Sequence, residues 1–145
     1  MKNVLFWVGV KSKDPLTLEK HGNFEYFEYS KKTWEYWCNK NNVLFFEYNT
    51  PSLEDVGKHK VTWQRWFDLE DQLKDIKWNK VAVVDASYMI KWDTPNFFDL
   101  TSKNLSTFRA LENVRWMDEG IKGYQELFPN TDFDLKRYMD CGFQI

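Results

Sequence analysis

The chain has 145 residues, the size of one ordinary domain. Its 20 lysines and arginines stand against 22 aspartates and glutamates, so no global field favours a polyanion and nucleic-acid binding has no electrostatic support. Eight Trp, seven Tyr and twelve Phe must either fill a core or line a binding face.

The apolar run at the amino terminus is too short for a signal or membrane-spanning segment, and Lys11 follows it at once. Val4 to Val10 therefore reads as a first core strand, with Gly9 to Pro15 as its polar, turn-rich exit. From Asn23 to Asn41 the apolar residues Phe24, Phe27, Trp34, Trp37 and Cys38 fall near helical spacing and predict a crossover helix. Val43 to Tyr48 follows as a second strand, and residues 50–60 as a loop long enough to cross a site mouth.

Between Lys60 and Ile76 the positions Trp63, Trp66, Leu69, Leu73 and Ile76 recur in steps of three and four, which predicts an amphipathic helix. Asp68, Glu70, Asp71 and Lys74 are assigned to its wet face, and Arg65 reads as a solvated charge whose stem covers neighbouring Trp rings. Most of Trp7, Trp34, Trp37, Trp63, Trp66 and Trp78 read as core.

Val81 to Val84 is an uninterrupted apolar run, the pattern of a strand buried on both faces of a mainly parallel sheet. Asp85 follows it directly. Ligands in open α/β sheets sit at the carboxyl ends of strands, which makes Asp85 a candidate site residue. The same position suits a turn cap, because an Asp oxygen can satisfy a free backbone N–H, and the pattern alone leaves both readings open.

Beyond it, Phe97 to Leu100 reads as a helical turn after Asp93-Thr94-Pro95, with Asp93 as a cap in preference to a substitute acid for the site. Thr107 to Leu111 reads as a strand, residues 115–128 as a helix, and the region around Gly142 as a strand start. That last strand belongs at a sheet edge, or the chain is the front part of a longer protein. The β-α-β order gives an α/β fold, one domain over residues 1–145, with a mainly parallel sheet flanked by helices.

Cys38 and Cys141 are far apart and in no metal-ligand spacing, which favours reduced thiols in a cytoplasmic protein. His21 and His59 are equally isolated, so zinc ligation is not indicated. Ser87 has no histidine in range to suggest a nucleophilic pair.

Three segments carry a resemblance to a known family. Trp63-Gln64-Arg65, then Val83-Val84-Asp85-Ala86-Ser87 leading to Asp93-Thr94-Pro95-Asn96-Phe97-Phe98, and finally Tyr138-Met139-Asp140-Cys141-Gly142-Phe143 follow one plan. It resembles that of GT-A fold, Rossmann-like nucleotide-sugar glycosyltransferases, especially the retaining family that includes glycogenin and bacterial galactosyltransferases. The resemblance runs from about Val4 to the last residue. The family domain continues beyond this point, with a histidine metal ligand and acceptor-binding elements.

The resemblance implies a nucleotide-diphospho-sugar, a UDP-sugar first, as ligand, and sugar transfer to an acceptor as activity. It places Val8, Gly9 and Val10 around the base and Tyr26 against uracil. Arg65 falls on the nucleotide, and Asp85, Ala86 and Ser87 on the degenerate acidic motif near ribose and metal. Asp140 and Gly142 fall near the sugar. A divalent cation, Mn or Mg, would be bound through Asp85. Ser87 replaces the family's second acid, however, and a neutral hydroxyl is a poor ligand for a hard cation, so metal binding is expected to be weakened.

A non-catalytic nucleotide-sugar-binding or protein-interaction module that has lost metal-dependent transfer is the alternative. A phosphatase-like reading of Asp85 ranks below both, because no second acid stands two residues on. An apolar edge at Gly142 to Ile145 also raises self-association as an expectation, which light scattering at high concentration checks.

Overall fold

The apolar run near the amino terminus becomes the centre of the sheet. In the computed structural model, which describes residues 1–13, 15–53, 61–100, 102, 130 and 143–144, strand β1 spans Lys2–Val8. It pairs in parallel with β2 (Leu44–Tyr48) on one side and with β3 (Trp78–Asp85) on the other. Strand β4 (Phe143–Gln144) joins β3 antiparallel, giving the order β2-β1-β3-β4. The fold is thus α/β, with a small three-stranded parallel sheet flanked by helices.

Alternation along β1 sends its side chains to two cores. Val4, Phe6 and Val8 pack with Tyr48, Leu73 and Val83, while Leu5 and Trp7 pack with Ala82, Val84 and Phe98. Val4, Leu5 and Phe6 have no exposed surface at all, the two-sided burial expected of an unbroken apolar run.

Helix α1 covers Pro15–His21, α2 Tyr26–Lys40 and α3 Val61–Leu73. The sequence reading missed α1, whose seven residues are too few for a helical period to stand out. Its signals are terminal instead: Pro15 at the first helical position, and Gly22 just past the end at φ 67°, with its N–H 2.8 Å from the Leu18 carbonyl. Helix α2 covers the Trp7 face with Phe27, Trp34, Trp37 and Cys38. Leu73 of α3, with the partly buried Trp66 and Leu69, covers the Phe6 face.

Several boundaries move. β1 runs from residue 2 to residue 8 rather than from 4 to 10, and β3 starts at Trp78 because Trp78 pairs with Lys2 at the exposed start of the ladder. That edge position leaves Trp78 44% exposed, so it is not core. The turn after Pro95 is a 3-10 helix, Phe97–Asp99, capped by Asn96, whose Oδ1 accepts from the Phe98 N–H at 3.2 Å. Asp93 instead pairs with Lys91 at 2.9 Å. The strand expected at Thr107 to Leu111 and the helix at residues 115–128 lie outside the described residues.

The tryptophans of α2 do more than fill volume. After β3 the chain runs irregularly, and its carbonyls need donors. Trp34 Nε1 donates to the Tyr88 carbonyl at 2.9 Å, Trp37 Nε1 to that of Thr94 at 2.9 Å, and Lys40 Nζ to that of Trp92 at 3.1 Å. Ser30 Oγ donates to the Tyr88 carbonyl at 2.6 Å while accepting from Trp7 Nε1 at 3.1 Å. An indole joins a large apolar area to one N–H donor, so one face of α2 both seals the core and fixes the segment that leaves β3.

Candidate functional site

Register alone brings the strand ends together. Val8 stands opposite Tyr48 on one side and Asp85 on the other. Past the ladder the Gly9 N–H reaches the Tyr48 carbonyl at 2.9 Å, and the Ala86 N–H the Val8 carbonyl at 3.0 Å. Asp85 is therefore the last residue of β3, at the carboxyl edge of the parallel sheet, where such sheets hold ligands.

The turn-cap reading of Asp85 is met by one oxygen of its carboxylate, and the other oxygen has a partner of its own. Oδ1 accepts from the Ser87 N–H and from Ser87 Oγ, each at 3.1 Å, which is the turn cap. Oδ2 faces Arg65 Nη1 at 3.4 Å. Burial, and then the charge of Asp85, push the hydroxyl of Tyr26, the first residue of α2, above its ordinary pKa. Phe24, held at φ 59°, and Phe27 pack against the Tyr26 ring at 6.2 and 4.9 Å between centroids. The Tyr26 ring is thereby supported from the protein side and stays 37% exposed on the other.

Arg65 is not the solvated charge that the sequence suggested. It is 1% exposed, with its guanidinium 5.3 Å from the centre of the Trp66 ring and beside Asp85. Asp68 does not lie on a wet face either. At 5% exposure it accepts from the Tyr48 hydroxyl, from Ser52 Oγ at 2.5 Å and from the Ser52 N–H at 2.9 Å. Burial raises the Asp68 carboxyl, but these three bonds outweigh it and hold its pKa below the ordinary value. Gln64, 3% exposed, accepts from the Leu53 N–H at 3.2 Å. Gln64, Arg65 and Asp68 thus form a buried polar stripe on α3, which clamps the chain leaving β2 and reaches Asp85.

Val8 and Val10 are buried in the Phe6 core, 3% and 8% exposed, and Ala86 is fully buried, while Ser87 is exposed. Gly9 leaves room for an aromatic ring, since a Cβ there would lie 1.8 Å from Trp7 Cζ3. Gly9→Ala must displace a ring pinned to Ser30 and is expected to cost about 1–3 kcal/mol. Urea unfolding of the two chains checks this; equal midpoints would mean that Trp7 moves aside without cost.

The structure brings Val8, Gly9, Tyr26, Arg65, Asp85, Ala86 and Ser87 to one end of the sheet. Asp140 and Gly142 lie outside the described residues. The Tyr48–Asp68–Ser52 cluster was missed, because its members come from three separate stretches of the chain and no local spacing links them. Cys38 is buried in the α2 core, where burial pushes its thiol up to about 12, which makes it an unreactive packing residue.

Comparison with protein-family models, curated proteins and solved structures gave no match. The chemistry of the donors must then decide what the site can hold. Magnesium and manganese want several oxygen ligands around negative charge. Among the described residues no three His, Cys, Asp or Glu side chains converge. The carboxylate in place already carries two donors on one oxygen and a guanidinium on the other. Among the described residues, this donor set is a poor match for a divalent cation. Among the described residues no helix is long and apolar enough to cross a membrane.

Proposed function

We propose that this chain is a GT-A-like domain that binds a nucleotide-diphospho-sugar, a UDP-sugar first, at the carboxyl ends of β1 and β3, and serves sugar transfer. The observation that carries the reading is the placement of Asp85 at the end of β3, opposite Val8, with Arg65 behind it and its charge felt at the Tyr26 hydroxyl. In this reading Asp85 accepts from ribose hydroxyls and the exposed Tyr26 face stacks on the base.

Calorimetric titration with UDP and with UDP-hexoses tests it. The wild-type chain is expected to bind, and Asp85→Ala to weaken binding at least tenfold, about 1.4 kcal/mol, while its melting curve reports whether the fold is kept. No heat at millimolar ligand would sink the reading.

A second reading has its own support. Ser87 and Arg65 engage both oxygens of Asp85, as they would in a strand end kept for structure alone. A module that binds the nucleotide sugar, or a protein, without transferring the sugar would show saturable binding and no turnover with any acceptor.

A further inference from the structure

We propose that this site takes its diphosphate ligand without a divalent cation, because Arg65 already does the electrostatic work that a cation would do. The inference rests on the nucleotide-sugar reading and concerns how that same site manages charge.

A carboxylate and a diphosphate are both anions, so a site that offers Asp85 to such a ligand needs positive charge between or behind them. A bridging metal is one solution. Here the position is filled from within the fold: Arg65 Nη1 lies 3.4 Å from Asp85 Oδ2, and its side chain is 2% exposed against 31% for Asp85. The guanidinium is a planar cation, and α3 and Trp66 hold it in place. A dication arriving at Asp85 would meet that fixed charge within a few ångströms and would compete with the two donors of Ser87 for Oδ1. Ser87 could give it only a neutral oxygen. The pair presents an acceptor to ligand hydroxyls with its charge offset, and the diphosphate meets little net repulsion.

The test is a UDP titration of the whole wild-type chain in EDTA and in millimolar manganese, with manganese alone followed by its EPR signal in wild type and Asp85→Asn. The expected result is a Kd that agrees within about twofold in the two buffers, and no manganese site that depends on Asp85. A Kd at least tenfold tighter with manganese would overturn the inference and leave the nucleotide-sugar reading standing. So would a wild-type manganese site that Asp85→Asn abolishes. Absence of UDP binding in both buffers would remove the nucleotide-sugar reading, and this inference with it.

Discussion

Trp37→Ala is expected to be the most destabilising single change in the described core, at about 3–5 kcal/mol. Trp37 is fully buried, stacks on Phe97 at 4.3 Å between centroids and 6° between planes, and donates its indole N–H to the Thr94 carbonyl. Alanine would leave a large void next to Phe97 and an unsatisfied carbonyl in the segment after β3. A domain of this size has about 5–15 kcal/mol of stability in all, so the melting temperature should fall by roughly 10 °C. Trp37→Phe separates the two contributions, since it keeps a stacking ring and removes the donor, and about 1–2 kcal/mol is expected for it. Urea unfolding of the three chains decides the matter. If Trp37→Ala costs under about 1 kcal/mol, the α2 face is not the keystone described above.

The second large effect is acid sensitivity through Asp68. Its carboxyl pKa is lower in the folded chain than its ordinary value of 3.8, so the unfolded chain binds the proton more readily. Stability from this group is therefore fully present above pH 3.8 and is lost as pH falls through the lower, folded value. Asp68→Asn removes the ionisation. At neutral pH it should be less stable than wild type by about 1–3 kcal/mol, because charge-assisted bonds from Tyr48 and Ser52 become neutral ones. The gap should begin to narrow as pH falls below 3.8 and close only once pH has passed the lower, folded value, where the wild-type carboxyl is neutral in the folded chain as well. Unfolding free energies measured from pH 7 down to pH 2 check both parts. A gap of constant size across that range would show that the bonds matter for shape and not for charge.

The centre of the sheet was legible in the sequence because Val4 to Val8 and Val81 to Val84 are unbroken apolar runs, and two-sided burial is the natural use for such runs. The helices α2 and α3 were legible from their Trp periodicity. The interior of α3 was not. Arg65 and Asp68 look like wet-face charges at helical spacing, and only the tertiary fold shows that Tyr48, Ser52 and Asp85, from other elements, pair with them. Charge in a sequence says what a side chain carries, and its burial depends on partners that spacing along one helix does not reveal. Asp85 shows the opposite case: its place at a strand end was read directly, and the structure makes it cap and ion-pair partner at once. The same limit hid α1, whose start and stop are marked by single residues.

The central place of β1 has a consequence for how the chain reaches its native state. Val4 to Val8 form the first strand of the sheet in chain order, yet their neighbours are Leu44 to Tyr48 and Val81 to Asp85. During synthesis this strand emerges some forty residues ahead of one partner and some eighty ahead of the other. Until then its apolar side chains have no sheet to enter, and contacts at such long separation are slow to form. The nascent chain therefore exposes its most apolar strand for longest. Aggregation during expression should begin there, and a chaperone that holds extended apolar segments should find its first binding site in residues 4–8.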